Sequence, residues 1–380
     1  MSNVKSDTEK LNEVMNTISF DFSQVKDVKW QNPIDSDVIE IKGFPWLKKD
    51  GVYRRLPVDA KEKLRPPVNS LADCTAGGQI QFITDSKRLY IAVKLQGKAN
   101  MYHMPATGQC GFDCYVGDES KIRYYKTCRF DLKEDGYCSE LFNYVSCKSR
   151  TIVLNFPLYI GVEHVLIGVD DTATINKPDF FVNDKKIVIY GTSITQGGCA
   201  SRPGMAYSNI LSRMFHMECV NLGFSGNGQG DSAVAKLMSE IENVSCYVLD
   251  HITNCSTQLF METLPGFVKI LKERNPDVPV CIMSNLLMPA DYFLNDIDLK
   301  NNDRHIDRQK VKDFIIDFIT DLEREGYTGL YFIESEKLLG EDFEEGTVDG
   351  THPNDFGFYN IAKGLYPLLK SILKDSTVIK

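Results

Sequence analysis

Lys186-Ile-Val-Ile-Tyr-Gly-Thr-Ser-Ile-Thr-Gln-Gly197 marks a change of texture in this 380-residue chain. An apolar run with no polar alternation (Ile187, Val188, Ile189) reads as a strand buried on both faces, as in a parallel sheet. It stops at Gly191, and Ser193 follows where the chain turns toward the next element. In an open parallel sheet the carboxyl ends of the strands form the crevice that holds ligands. Two readings of Ser193 compete at this point: a nucleophile on a bend that glycine permits, or part of a Thr-Ser pair capping a helix.

Downstream of Lys186, apolar strands alternate with amphipathic helices. Strands are predicted at 186–190, 219–222, 245–250, 279–283 and 329–333. Helices are predicted at 204–216, 231–241, 258–274, 305–325 and 355–374. Ala206, Tyr207, Ile210, Leu211, Met214 and Phe215 share one face of the first helix; Val311, Phe314, Ile315, Phe318 and Leu322 share one face of the fourth. Such alternation predicts a three-layer α/β/α, doubly wound parallel sheet over residues 181–380.

Upstream, short alternating runs such as Gln79-Ile-Gln-Phe-Ile83 and Arg88-Leu-Tyr-Ile-Ala-Val-Lys-Leu95 are punctuated by Gly, Asp, Asn and Lys. They predict an N-terminal β-sandwich, jelly-roll-like, over residues 36–180. The boundary falls between Asp171 and Asp184. Residues 1–35 read as a polar lead-in outside the core.

With 52 acidic and 43 basic residues the formal net charge is -9, which speaks against a general nucleic-acid or anionic-membrane binder. No apolar run reaches membrane-spanning length. The eleven cysteines are an odd number with no Cys-x-x-Cys pair, and Cys246 and Cys281 sit inside apolar runs, so they read as free thiols of a reducing compartment. The polar N-terminus lacks a signal-peptide core, which makes a cytoplasmic location the expectation, with a periplasmic or secreted one left open if a leader was removed.

Three strand ends carry chemistry. The first bears Ser193. The second opens into Asn221-Leu-Gly-Phe-Ser-Gly-Asn-Gly-Gln-Gly230, and the third is Tyr247-Val-Leu-Asp-His-Ile-Thr-Asn254. The glycine-rich loop matches neither the dinucleotide nor the Walker pattern, and its uncovered N–H groups suit an oxyanion better than a phosphate. Ahead of the last helix comes Val348-Asp-Gly-Thr-His-Pro-Asn-Asp-Phe-Gly357, where Asp349 stands three residues from His352. Either this is an exposed polar turn, or the carboxylate fixes an imidazole that takes a proton from a serine.

In these blocks the C-terminal half resembles the SGNH (GDSL-type) hydrolases. Gly191-Thr-Ser193, Ser225-Gly226-Asn227, Thr253-Asn254 and Asp349-Gly-Thr-His352 match the family's four blocks in order. The N-terminal half is similar to the β-sandwich of one branch, through Gly111-Phe-Asp-Cys-Tyr115 after His103-Met-Pro-Ala-Thr-Gly108, and that branch's run from Ser193 to Gly204 is also present in the C-terminal half. Departures are Thr192 where the archetype has Asp, Thr253 where it often has Gly, and Cys255 where it often has Asp.

The resemblance implies a serine esterase with Ser193 as nucleophile, His352 as base and Asp349 as its partner. It implies an oxyanion hole from Ser193, Gly226 and Asn254, with neither metal nor cofactor. Substrates would be small-molecule or oligosaccharide esters with short acyl groups, carbohydrate O-acetates foremost. A thioester or small-metabolite acyl hydrolase and an inactive carbohydrate-binding protein are the alternatives. No apolar lid or interfacial helix is legible, which speaks against a true lipase. His103, Arg202 and His251 are further candidates for substrate contact, against packing or loop-ordering roles. His164, His216 and His305 read as structural or surface residues.

Overall fold

The computed structural model describes residues 6–118, 120–178, 180–293 and 306–375. Helix α1 (Asp7–Thr17) leads into ten strands that build two antiparallel sheets. These are β1 (Val28–Gln31), β2 (Glu40–Lys42), β3 (Gln79–Thr84), β4 (Arg88–Leu95), β5 (Asp113–Gly117), β6 (Ile122–Thr127), β7 (Gly136–Asn143), β8 (Arg150–Asn155), β9 (Val162–Asp170) and β10 (Ile175–Asn176). One sheet runs β1-β9-β4-β7 and the other β10-β3-β8-β5-β6, with β2 also on β3. Ile80, Phe82, Ile152 and Leu154 of one sheet meet Leu89, Ile91, Val93, Val165 and Ile167 of the other in a common core, as the period-2 alternation requires. Three short helices, α2 (Leu47–Asp50), α3 (Pro66–Leu71) and α4 (Ala106–Cys110), interrupt the strands.

The lead-in departs from its sequence reading. Val28–Gln31 is an edge strand paired with β9, and Ile18 after α1 is buried on Ala92 and Leu166. Trp30 supplies the apolar surface that holds this segment down, stacked edge-on against Phe22 at 5.0 Å.

The second half is a five-stranded parallel sheet of β11 (Lys186–Gly191), β12 (Glu218–Gly223), β13 (Val244–Asp250), β14 (Val280–Met283) and β15 (Leu330–Ile333). Its order, β12-β11-β13-β14-β15, is the flavodoxin-like one. Helix α5 (Ser193–Gln196) is a single turn after β11, followed by α6 (Tyr207–Phe215), α7 (Ser232–Ser239), α8 (Thr257–Arg274), α9 (Arg308–Arg324) and α10 (Asp355–Asp375). Successive strand residues face opposite layers. Ile187, Ile189, Cys219, Cys246 and Val248 pack on α6 and α10, whereas Val188, Tyr190, Val220, Tyr247 and Leu249 pack on α7, α8 and α9. The fold is therefore the expected α/β/α layer with an antiparallel sandwich ahead of it. All eleven cysteines are free, and the Cys246 and Cys281 sulfurs lie 3.5 Å apart on adjacent strands.

What joins the halves is a buried polar ladder on the outer face of the β3-β8-β5 sheet. Gln81 donates to Gln79 (2.8 Å), Gln79 to Asn155 (3.0 Å), and Asn155 to Asp113 (2.7 Å). The other Asp113 oxygen accepts from the Arg202 guanidinium (2.9 Å) and the Gly204 N–H (2.8 Å). Arg202 also donates to the Tyr115 hydroxyl (2.7 Å) and lies 3.7 Å over the Tyr124 ring. A second buried cation, Arg55, donates to the carbonyls of Leu71, Cys74, Asn221 and Gly223, so the segment before β3 grips the end of β12.

Removing one partner of a buried ion pair leaves the other charge uncompensated, at a cost of about 3–5 kcal/mol. Asp113→Ala should therefore lower the unfolding free energy by about that amount, read from urea midpoints. A loss under about 1 kcal/mol, the range of a surface pair, would show that the ladder does not hold the halves together.

Candidate active site

The site is built at the carboxyl edge of the parallel sheet, where three strand ends are forced close. A Cβ on Gly191 would stand 1.9 Å from the Thr195 hydroxyl, and one on Gly228 would stand 2.3 Å from the Gly191 carbonyl oxygen. Only glycine lets the β11 turn and the β12 loop touch in this way. Ser193 is the first residue of α5, 6% exposed, with Thr192 as N-cap accepting from the Ile194 N–H at 3.2 Å. Thr192 thus fills the position of the archetypal Asp by capping the turn.

The Ser193 hydroxyl lies 2.9 Å from Nε2 of His352. Nδ1 of the same ring lies 2.8 Å from an oxygen of Asp349. The other Asp349 oxygen accepts the backbone N–H groups of His352 (2.8 Å) and Thr351 (3.1 Å), which locks the carboxylate beside the ring. Burial opposes the Asp349 charge, but these bonds to His352 and Thr351 outweigh it, and its pKa falls below the usual carboxylate value. A negative Asp349 on Nδ1 favours the tautomer whose bare Nε2 can accept a hydrogen bond from the Ser193 hydroxyl. Ser193, His352 and Asp349 come from loops 156 or more residues apart in sequence for the serine and three apart for the pair.

Gly226 sits at φ 68° with open space around it, so its loop is left-handed and unobstructed. The Asn254 side-chain oxygen accepts the Gly228 N–H at 3.2 Å, which fixes the amide and leaves its NH₂ end free. The ends of β11, β12 and β13 are thereby tied into one rim.

His103 comes over this rim from the sandwich, its ring centroid 5.4 Å from that of His352, and the Tyr102 ring lies tilted against it at 4.7 Å. The two other candidates for substrate contact lie elsewhere. Arg202 is spent on Asp113, Tyr115 and Tyr124, as a cation that orders the loop and joins the halves. His251 is 0% exposed among Tyr190, Phe260 and Phe267, with neither ring nitrogen hydrogen-bonded, and burial holds its pKa down to about 3. It is a neutral packing residue. His216 ends α6 in the left-handed conformation and reaches the Phe180 carbonyl at 3.2 Å. His305 lies outside the described residues.

Several residues at the site had no sequence signal. Tyr159 brings its hydroxyl to 3.5 Å from the Ser193 carbonyl, and Gln196 links the Leu158 carbonyl (3.2 Å) to the Ser225 N–H (3.0 Å). Arg65 binds Asp231 and Asn227 behind the glycine-rich loop. Beneath the nucleophile turn, one Asp250 oxygen accepts the hydroxyls of Thr195 (2.8 Å) and Tyr207 (2.8 Å). The pairing of Asp250 with His251 at the end of an apolar strand was the one available hint of a buried acid.

Burial pushes the Asp250 pKa up to about 6 despite those two bonds. Between about pH 4 and 6 the folded chain therefore holds a proton that the unfolded chain releases, and stability contributed here falls as pH rises through that window. Above it the ionised group costs on the order of 3 kcal/mol. Asp250→Asn removes the titration, so its urea midpoint should gain on the native protein from pH 4 to 6 and keep a constant offset above. A gap independent of pH would contradict this.

A model of the GDSL-like lipase/acylhydrolase family matches residues 184–370, and a model named GxDLY, the N-terminus of SGNH-hydrolase-type esterases, matches residues 28–175. No curated protein sequence matches the chain. Among solved structures, one from Bacteroides ovatus, named as a GDSL-like lipase by resemblance, is 29% identical, with TM-score 0.80 over 91% of this chain and 98% of that one. The salicylyl-acyltransferase SsfX3 of a tetracycline biosynthetic pathway is 17% identical, with TM-score 0.72 over 92% and 98%. A family two carbohydrate esterase from Cellvibrio japonicus is 13% identical, with TM-score 0.59 over 91% and 98%. Taken with the site just described, the two adjoining matches mean that the chain belongs to the SGNH/GDSL-type family of ester hydrolases, in the branch with an N-terminal GxDLY sandwich.

Proposed function

We propose that the protein removes short acyl groups, acetyl foremost, from O-esters of carbohydrates through Ser193, His352 and Asp349. The observation that carries this reading is the unbroken hydrogen-bond chain from the Asp349 carboxylate through the imidazole to the Ser193 hydroxyl, 2.8 Å and 2.9 Å. Ser193 Oγ attacks the ester carbonyl while Nε2 of His352 takes its proton, and Asp349 stabilises the imidazolium. The oxyanion is met by the N–H groups of Ser193 and Gly226 and by the Asn254 amide. Nε2 then gives its proton to the leaving alcohol, and water repeats the sequence on the acyl-enzyme.

A small acyl group is favoured by crowding beside the serine. A Cβ on Gly198 would stand 2.7 Å from the Tyr159 hydroxyl and 3.3 Å from the His352 ring. The carbohydrate part of the reading is supported by Tyr102, 95% exposed and packed against His103 next to the reacting imidazole. An exposed ring with a polar tip suits the C–H face and hydroxyls of a sugar. The fold shared with a carbohydrate esterase points the same way.

Ser193→Ala and His352→Ala should each lower kcat on p-nitrophenyl acetate by roughly 10⁴–10⁶ with unchanged urea midpoints. Asn254→Ala should lose about 10²–10³. Acetate release from acetylated oligosaccharides, and a fall in rate from acetate to octanoate esters, test the substrate. Full esterase activity in either of the first two variants refutes the roles, and sugar binding without turnover would make the protein a binding module.

A further inference from the structure

The sandwich brings a second imidazole, His103, beside His352, and the loop after the Ser193 turn adds a thiol, Cys199. One ligand atom from each of His103, Cys199 and His352 lies within 4.8 Å of those of the other two. Three features set this cluster apart from ordinary packing. Nδ1 of His103 is buried with no hydrogen-bond partner, as the ring nitrogens of His251 are, but here the ring stands beside a second imidazole and a thiol rather than among phenyl rings. Cys199 adopts φ 75°, a left-handed conformation uncommon outside glycine, with its side chain only 3% exposed. Two imidazoles and a thiol are also the donor set that Zn²⁺ and similar borderline-soft cations prefer, whereas Mg²⁺ and Ca²⁺ prefer oxygen.

We propose that His103, Cys199 and His352 form a three-ligand site for Zn²⁺ whose occupancy switches the esterase off. The inference rests on the reading of His352 as the general base. Zn–N distances of about 2.1 Å and Zn–S of about 2.3 Å put tetrahedral donors roughly 3.5 Å apart, so three donors within 4.8 Å of one another close by up to roughly 1 Å to hold the ion. On binding, the Cys199 thiol releases its proton to solvent and its sulfur bonds the metal, while each imidazole gives a lone pair. His352 has one nitrogen on Ser193 and the other on Asp349, so whichever it yields to the metal breaks one of the two bonds that activate the serine.

The test uses the full chain after chelator treatment. Zn²⁺ titration by calorimetry should give one ion per chain, and Co²⁺ should give a thiolate-to-metal charge-transfer band. Hydrolysis of p-nitrophenyl acetate should fall at least about tenfold with stoichiometric Zn²⁺, recover with EDTA, and ignore Mg²⁺. Cys199→Ala should keep the metal-free rate, lose the charge-transfer band, and need at least about 10–100 times more Zn²⁺ for half inhibition. His103→Gln should weaken Zn²⁺ binding to a similar degree. Absence of one-to-one binding, or native Zn²⁺ affinity in both variants, overturns the proposal. A chain that binds Zn²⁺ through Cys199 yet hydrolyses no ester would instead overturn the role of His352 and leave the metal site standing.

Discussion

Contact between the Gly191 carbonyl and the Gly228 backbone is the constraint from which the site follows. The end of β11 and the loop after β12 approach so closely that no side chain fits between them. Asn254, in the turn that follows β13, then fastens its amide to Gly228. Three parallel strands that would otherwise end independently are drawn into one rim, with the Ser193 turn on one side and the left-handed Gly226 turn on the other. Strand order β12-β11-β13 is what makes this possible, because it sets β11 between its two partners.

That rim is held from outside by the sandwich. The ladder Gln81-Gln79-Asn155-Asp113 delivers a carboxylate to Arg202, in the very loop that follows the nucleophile turn. Thr107 donates to the Ser201 carbonyl at 2.6 Å, and a Cβ on Gly108 would collide with the Ala200 carbonyl at 2.2 Å, so the same loop is also clamped sterically. The consequence is that His103, Tyr102 and Tyr159 are placed around the imidazole and serine by the first half of the chain, while the second half supplies Ser193, His352 and Asp349.

Much of this was legible in the sequence. The five parallel strands and their helices lie within one to three residues of where apolar runs and 3.6-residue periods put them, because buried parallel strands leave an unmistakable continuous signature. Ser193, His352 and Asp349 were legible as blocks, and the structure brings them together. Other contacts were not. Asp113 and Arg202 lie 89 positions apart and are each unremarkable alone; only the docked faces make them a pair. His251 drew attention as a polar group near a strand end, yet Tyr247, Leu249 and His251 alternate onto the same helix-facing side, and that parity was the signal to weigh. Trp30 and Ile18 likewise fasten a stretch whose overall polarity read as a free lead-in.

The central claim is that Ser193 is the atom donor to the ester carbonyl. Rapid acid quench of the enzyme during turnover of p-nitrophenyl acetate, followed by digestion and mass spectrometry, tests it most directly. The account predicts one acetyl group, located on Ser193 and present only while substrate lasts. An acetyl group found on any other side chain, with Ser193 unmodified throughout turnover, would contradict it.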